Sequence, residues 1–183
     1  MFSVLFPGQG SQSVGMVKEL YDNFEYVKNF FQEADDTLKL QISKLIFEGP
    51  KELLDQTENT QPAIFLVSYS IFNVIKKETS FDISNANCFA GHSLGEYSAL
   101  ACSGAINFKE TIKLLKIRGN AMQNAVPQGQ GGMIAVLGST VEVIEKILSE
   151  NKNNFIVQIA NDNSESQIVL SGKNDDLNRL IES

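Results

Sequence analysis

The sequence has few of the residues that bind metals or form disulfides, with one histidine and two cysteines among 183 residues. A structural zinc site uses four closely spaced His or Cys ligands, and no close cysteine pair occurs. Cys88 and Cys102 each lie within an apolar segment, where free thiols of intracellular proteins are commonly buried. We therefore expect two buried, reduced thiols, with neither a disulfide framework nor a bound metal.

Basic residues and long apolar runs are also scarce. Asp and Glu outnumber Lys and Arg by 22 to 15, which gives a net charge of −7 and a pI near 4.8. This charge does not support nucleic-acid binding or attachment to an anionic membrane. The longest apolar stretch, residues 62–75, is too short to cross a bilayer, and Pro7 and Gly8 interrupt the N-terminal run too early for a signal peptide. These absences predict a cytoplasmic protein.

The composition that remains, 43% hydrophobic and 20% charged, is that of an ordinary folded protein. Glycines concentrate at residues 126–132, which indicates a connection between a large unit at 1–126 and a small unit at 127–183. The small unit is predicted to contain a strand, a helix, two strands and a helix, at residues 133–137, 141–150, 155–159, 167–170 and 175–181. This order is that of a ferredoxin-like unit that lacks its last strand.

The large unit is predicted to be α/β. An apolar run at residues 2–6 predicts a buried strand, and a tight glycine loop follows it at residues 7–12. Asn59 and Thr60, placed before Pro62, predict the start of a long helix. Three further elements, a strand and two helices, are predicted at residues 86–90, 94–102 and 108–118.

Residues 91–95 read Gly-His-Ser-Leu-Gly and match the Gly-x-Ser-x-Gly pattern of a nucleophile elbow. The pattern lies between a predicted strand and a predicted helix, which is the context that an elbow requires. The glycines leave room for a sharp turn, and the turn presents the Ser93 hydroxyl at the positive end of the helix. The backbone N–H of Leu94 is then placed to stabilise an oxyanion. A simple glycine-rich turn is the alternative interpretation.

An oxyanion hole needs a second donor, and the N-terminal glycine loop offers one. Gly8 and Gly10 flank Gln9, so the backbone N–H of Gln9 has room to approach a ligand closely. A plain turn between a strand and a helix is equally compatible with this loop.

Four motifs stand in register along the sequence: Phe-Pro-Gly-Gln-Gly-Ser-Gln at 6–12, Thr-Gln-Pro-Ala at 60–63, Gly-His-Ser-Leu-Gly-Glu-Tyr-Ser-Ala-Leu at 91–100 and Arg-Gly-Asn-Ala-Met at 118–122. Ala-Val-Pro at 125–127 and Asn-Asp-Asn-Ser at 161–164 extend the set. Together they resemble the malonyl-CoA:acyl-carrier-protein transacylases over essentially the whole sequence. The resemblance implies an α/β-hydrolase-like parallel sheet, incomplete here, beside the incomplete ferredoxin-like unit.

The resemblance also implies an activity, acyl transfer in fatty acid biosynthesis. Ser93 would attack the thioester of malonyl-CoA, and the malonyl ester would then pass to the phosphopantetheine thiol of acyl carrier protein. The two amides named above would hold the oxyanion, Gln61 would line the pocket, and Asn161 and Asn163 would lie in its surroundings. Malonyl-CoA is then a substrate, acyl carrier protein a partner, and no cofactor is needed. Without the resemblance, Gln61 would be interpreted as an exposed residue beside Pro62 at a helix start.

Arg118 lies at the end of the mostly apolar helix predicted at 108–118. Malonate keeps a free carboxylate, which a planar guanidinium can bind through two parallel hydrogen bonds. An arginine left unpaired in a buried site is costly, so the same residue would reject uncharged acyl groups. The alternative interpretation is a cation that complements the helix dipole.

Serine is a poor nucleophile without a base that accepts its proton. The resembled family uses a histidine well downstream of the elbow, whereas the one histidine here is His92, directly before Ser93. Neighbouring side chains diverge in an elbow, so His92 is interpreted as a packing residue behind the nucleophile. The sequence is therefore expected to be truncated, with an unpaired sheet edge and little activity alone.

Two further points stay open at the level of sequence. Lys109, Lys113 and Lys116 follow one face of a helix, either as a docking stripe for carrier protein or CoA or as a solvated face. A serine esterase would share the Gly-x-Ser-x-Gly pattern, although such enzymes place several strands before the elbow and one is predicted here. A carrier-protein-binding module without a catalytic base is the remaining alternative.

Overall fold

The computed structural model describes residues 1–127, 129–151 and 156–182. The chain forms two compact units, residues 1–124 and residues 125–183, where the sequence had predicted a boundary after residue 126. Over the described ranges, the first unit carries a two-stranded parallel sheet with helices and the second a three-stranded antiparallel sheet with helices. The fold is therefore mixed α/β.

The large unit alternates strands with helices, and the chain order of its elements is β1 (Ser3–Phe6), α1 (Lys18–Asn23), α2 (Glu25–Leu38), α3 (Ile42–Glu48), α4 (Lys51–Leu54), α5 (Thr57–Glu78), β2 (Cys88–Gly91), α6 (Leu94–Cys102) and α7 (Phe108–Ala125). Strands β1 and β2 pair in parallel, with residue 3 opposite residue 88 and residue 6 opposite residue 91. Because parallel strands end at the same edge of a sheet, the glycine loop after β1 and the elbow after β2 begin side by side.

Helix α5 is the centre of the large unit. Residues 59–68 are buried on every face of this helix, which is the pattern of a helix surrounded by other elements. Phe65 packs in one apolar cluster with Leu94 of α6 and with Ile112 and Leu115 of α7. Each such side chain contributes about 1.5–3 kcal/mol through burial, so this core fixes α6 and α7 against α5. In the described part of the chain, no helix combines the length and apolar character that a membrane span needs.

The start of α5 differs from its prediction. The helix begins at Thr57, five residues before Pro62, and Asn59 and Thr60 do not cap it. Their side chains instead donate to the carbonyls of Leu53 (2.9 Å) and Leu54 (2.5 Å), and so tie the first turn of α5 to α4. The prediction was wrong because polar side chains near a proline were assigned to a helix terminus, whereas they serve a contact with a helix that was not predicted.

Helix α7 is longer than predicted and continues from Phe108 to Ala125. The predicted helix ended at Arg118, directly before Gly119, but this glycine lies inside the helix. A Cβ at residue 119 would come within 2.6 Å of the Cα of Glu58 and 2.8 Å of the carbonyl oxygen of Thr57. Gly119 therefore permits a close crossing of α7 over the first turn of α5, and it does not terminate the helix.

The small unit contains β3 (Gly131–Leu137), α8 (Val141–Glu150), β4 (Val157–Ser164), β5 (Gln167–Lys173) and α9 (Asn174–Glu182). Its strands are antiparallel in the order β3-β5-β4. Ile144, Ile168, Leu170 and Leu177 form its buried cluster together with Val157. The predicted order of strand, helix, two strands and helix agrees with these elements, although part of the strand predicted at 155–159 lies outside the described residues.

The two cysteines are not equally buried, so the expectation of two buried thiols is wrong for one of them. Residues 3, 5, 88 and 90 share one face of the β1–β2 sheet, and all four are exposed, whereas Phe6 on the opposite face is buried. Cys88 therefore faces outward, although both faces of a parallel sheet are usually covered by helices. Cys102, at the end of α6, is half-buried, and its burial raises the pKa of the thiol to about 12.

This difference predicts selective alkylation. At pH 8, iodoacetamide should modify Cys88 in the native chain while Cys102 stays unmodified, because alkylation requires the thiolate. The raised pKa of Cys102 keeps its thiol protonated at pH 8. Peptide mass mapping before and after denaturation in urea measures both sites. Equal modification of the two cysteines in the native chain would contradict the burial of Cys102.

Candidate active site

Ser93 forms the turn between β2, which ends at Gly91, and α6, which begins at Leu94. Its backbone adopts φ 55° and ψ −111°, outside the regions that non-glycine residues ordinarily occupy. Such a conformation costs on the order of 1–3 kcal/mol and is found mainly at functional sites. Ser93 is also exposed and is the N-cap residue of α6. The predicted elbow is therefore present, with its serine at the positive end of a helix.

The two glycines of the elbow are required by close backbone contacts. A Cβ on Gly91 would lie 2.0 Å from the carbonyl carbon of Gly95 and 2.1 Å from its oxygen. A Cβ on Gly95 would lie 2.4 Å from the carbonyl oxygen of Phe6 at the end of β1. The turn thus folds back onto itself and onto the neighbouring strand. The Gly-x-Ser-x-Gly spacing follows from these two contacts.

The glycine loop passes directly beside the elbow. A Cβ on Gly8 would come within 2.6 Å of His92 Nδ1 and 2.9 Å of the His92 carbonyl oxygen. The side chain of Gln9 is turned away, because its Oε1 accepts a hydrogen bond of 2.8 Å from the Thr57 hydroxyl. The side chain of Gln9 is therefore held at the start of α5.

Side chains of the loop also hold its shape. Gln12 accepts from the backbone N–H of Gly10 at 2.8 Å and donates to the carboxylate of Asp55 at 2.8 Å. Hydrogen bonds from Lys51 and then from Gln12 lower the pKa of Asp55. The carboxylate consequently stays ionised at neutral pH and remains an acceptor for Gln12. The loop is in this way fastened to the segment that leads into α5.

Arg118 connects the elbow to α5. Its Nη2 donates to Ser93 Oγ at 3.0 Å, and its Nη1 donates to Gln61 Oε1 at 2.7 Å. The guanidinium carbon lies 5.8 Å from the centre of the Tyr97 ring, within the range of a cation–π contact. Because α7 continues for seven residues beyond Arg118, this arginine does not lie in a last turn, and the helix-dipole interpretation is wrong.

Gln61 lies in the interior, with 1% of its surface exposed, so its interpretation as an exposed residue at a helix start is wrong. Its Oε1 accepts from Arg118, and its Nε2 donates to Met122 Sδ at 3.3 Å. The close crossing at Gly119 brings α7 near enough to α5 for these contacts. Met122 was not identified from the sequence as a site residue; its spacing of four residues from Arg118, on one helix face, was the available signal.

The other residues predicted for the site belong to different units, His92 to the large unit and Asn161 and Asn163 to the small unit. His92 packs against the backbone of Gly8, which is the kind of contact expected of a packing residue. Arg118 donates a hydrogen bond to Ser93 Oγ. Asn161 and Asn163 belong to β4 of the small unit, where Asn163 donates to Gln167 at 2.9 Å.

Two of the three lysines in the predicted stripe form ion pairs with acidic side chains. Lys109 forms an ion pair of 3.0 Å with Glu33, and Lys116 lies 3.2 Å from Glu58 and donates to Asn59 at 3.1 Å. These ion pairs weaken the case for a docking stripe, and Lys116 joins α7 to the first turn of α5. In the ranges that the structure describes, no group of three or more His, Cys, Asp or Glu side chains is arranged to hold a metal ion.

A strained, exposed serine beside a glycine loop and an arginine is an arrangement suited to acyl transfer, and comparison with known proteins agrees with this chemistry. Residues 4–183 match the family model described as the acyl transferase domain, so the chain belongs to that family. The chain is also similar to individual enzymes whose names are more specific than that of the family. The malonyl CoA-acyl carrier protein transacylase of Bacillus subtilis is 44% identical over 169 residues, which are 92% of this chain and 52% of the relative.

Solved structures give the same result. The acyl-carrier-protein S-malonyltransferase of Bartonella henselae superimposes with a TM-score of 0.92 at 42% identity, covering 100% of this chain and 58% of the other. A malonyl-transacylase in complex with its type II PKS acyl-carrier protein superimposes with a TM-score of 0.90 at 40% identity, covering 99% of this chain and 58% of the other. The chain thus spans little more than half the length of these relatives.

Proposed function

We propose that this chain carries the nucleophile, the oxyanion-binding amides and the carboxylate clamp of a malonyl-CoA:acyl-carrier-protein transacylase in fatty acid biosynthesis. Malonyl-CoA is the acyl donor, and the phosphopantetheine thiol of acyl carrier protein is the acceptor. The names of the similar enzymes support this substrate, and the relative that was solved with its carrier protein supports this partner. Family membership favours acyl transfer over the hydrolysis of an esterase.

The contact between Arg118 and Ser93 carries the proposal. A nitrogen of the guanidinium lies 3.0 Å from the serine oxygen, so any acyl group on Ser93 lies next to a fixed positive charge. In a malonyl group, one methylene separates the carboxylate from the carbonyl carbon that the serine attacks. A carboxylate at this short distance from the serine ester can replace the serine oxygen as an acceptor for Arg118. An acetyl group has no carboxylate and so offers no such acceptor.

The reaction proceeds in two balanced steps. Ser93 Oγ attacks the thioester carbonyl of malonyl-CoA, the C–O bond forms, the C–S bond breaks, and the serine proton passes through a base to the departing CoA thiolate. The phosphopantetheine thiol then attacks the malonyl ester, the C–S bond forms, and the C–O bond breaks as Ser93 regains a proton. In both steps the backbone N–H groups of Gln9 and Leu94 hold the negative oxygen of the tetrahedral intermediate.

No base is assigned within these 183 residues. His92 is the one histidine of the sequence and packs on the glycine loop, so the proposal places the base of Ser93 outside this stretch and treats the sequence as a piece of a longer, cytoplasmic enzyme. In this view the β1–β2 pair belongs to a larger hydrolase-like parallel sheet, and the small unit is a ferredoxin-like unit that lacks one strand.

Replacing Arg118 tests the clamp. We expect Arg118→Ala to lower the rate of Ser93 malonylation by about 100-fold or more while acetylation changes by less than about tenfold, because only malonyl loses a partner. Arg118→Lys should recover little, since an ammonium lacks the planar fork that binds two carboxylate oxygens. Quantitative mass spectrometry of the acylated chain, with malonyl-CoA and acetyl-CoA as donors, measures both rates.

Arg179, the other arginine of the sequence, supplies the control. It is exposed in α9 and pairs with Asp176 at 3.5 Å, so Arg179→Ala removes the same charge far along the sequence from the elbow. This variant should acylate as the wild type does. Equal losses of malonyl and acetyl transfer in Arg118→Ala would contradict the role of Arg118 in carboxylate binding.

A further inference from the structure

Gln61 holds the guanidinium of Arg118 through a hydrogen bond, and Met122 in turn holds the amide of Gln61. Gln61 receives the Nη1 hydrogen bond of Arg118 on its Oε1, at 2.7 Å, and gives its Nε2 hydrogen bond to Met122 Sδ, at 3.3 Å. Arg118 and Met122 are one turn apart on the same face of α7, and Gln61 reaches between them from α5. The close helix crossing at Gly119 makes this reach possible.

The chemistry of the three side chains fixes the orientation of the amide. A guanidinium can only donate hydrogen bonds, and a thioether sulfur can only accept them. The amide of Gln61 therefore satisfies both neighbours in one orientation alone, with its oxygen toward Arg118 and its nitrogen toward Met122. The reversed amide would place two donors face to face and two acceptors face to face.

Burial makes the sulfur contact necessary. Gln61 is 1% exposed, so its amide has little access to water, and Met122 Sδ is the acceptor of Nε2 within the described residues. A buried donor that loses its acceptor pays the full cost of desolvation. Without the sulfur, Gln61 would rotate toward another acceptor and would release Nη1 of Arg118.

We infer that Met122 is a positioning residue, which fixes the amide of Gln61 so that Arg118 stays aimed at the acyl group on Ser93. Met122 acts through two other side chains and needs no contact with substrate. The effect of Met122 on carboxylate selectivity rests on the proposed function. Its effect on how firmly the Arg118 guanidinium is held in one orientation does not.

The test compares Met122→Leu with Met122→Gln in the intact chain. Leucine keeps the volume and removes the acceptor, while glutamine offers a carbonyl oxygen near the position of the sulfur. Nitrogen-15 NMR of the arginine side chains reports how fast the Arg118 guanidinium rotates. We expect slow rotation in the wild type and in Met122→Gln, and fast, averaged signals in Met122→Leu.

A second readout measures selectivity. Ligands are the ketone analogues of malonyl-CoA and acetyl-CoA, in which a methylene replaces the thioester sulfur, and calorimetry gives their affinity ratio. We expect Met122→Leu to lower the preference for the malonyl analogue by about fivefold and Met122→Gln to restore it. Met133→Leu is the matched control, since Met133 is 58% exposed and Met122 is 49% exposed, and it should change neither measurement.

The outcomes separate the two hypotheses. Unchanged Arg118 signals in Met122→Leu would overturn the positioning role, whatever the ligands do. If the wild type fails to distinguish the two analogues, the proposed function is wrong, and the NMR comparison still decides the role of Met122. Fast rotation of the Arg118 guanidinium in Met122→Leu, together with slow rotation in Met122→Gln, supports the inference.

Discussion

Ser93→Ala is expected to reduce covalent malonylation of the chain by about 10³-fold or more, because the variant has no oxygen at the head of α6 to form the ester. The wild-type chain should itself react slowly with malonyl-CoA, since no base is assigned to its serine. Added imidazole, as an external base, should therefore accelerate malonylation of the wild type and leave Ser93→Ala unlabelled. Mass spectrometry of the elbow peptide, over a series of imidazole concentrations, measures both effects.

Ser98 provides a matched control for this experiment on the same helix. It is fully buried, and its hydroxyl has no hydrogen-bond partner among the described residues, so Ser98→Ala removes a serine oxygen from α6 without touching the elbow. Malonylation should proceed in this variant as in the wild type. A malonyl group found on any residue other than Ser93, or labelling that survives in Ser93→Ala, would refute the assignment of the nucleophile.

Much of the elbow could be predicted from sequence because its determinants are local. A short apolar strand, two glycines around Ser93 and a following helix suffice to form the turn, and β2 and α6 lie within about one residue of their predicted bounds at this turn. The glycine loop was predicted for the same reason. What the sequence left open was whether the two segments meet, and the parallel pairing of β1 with β2 brings them together.

The environment of Arg118 was harder to predict because it depends on the packing of two helices distant in sequence. The helix was predicted to end before Gly119, whereas it continues through this glycine, which permits the contact between α7 and α5. The hydrogen bonds of Gln61 to Arg118 and Met122 follow from that contact, and no local pattern contains it. Helices α3 and α4 were missed because they are short and take their stability from burial of residues such as Ile42, Ile46 and Leu54.

Gly91→Ala is expected to destabilise the large unit by about 3 kcal/mol or more, and to abolish serine acylation as a consequence. The added Cβ would lie 2.0 Å from the carbonyl carbon of Gly95 and 2.4 Å from the backbone nitrogen of Glu96. Both atoms belong to the backbone of the first turn of α6, so no side-chain rotation can relieve the clash. Either β2 must move away from β1 or α6 must lose its first turn.

Gly104→Ala separates this steric cost from the ordinary cost of replacing a glycine. Gly104 has φ +84°, and a Cβ there would meet no atom within 4 Å, so the variant should lose only about 1 kcal/mol, through backbone strain. Urea unfolding followed by tyrosine fluorescence measures the large unit selectively, because all four tyrosines lie before residue 98 and the sequence has no tryptophan. If the two variants lose equal stability, the contact between Gly91 and α6 is not what shapes the elbow, and Ser93 would owe its exposed position to something other than the close return of the chain upon itself.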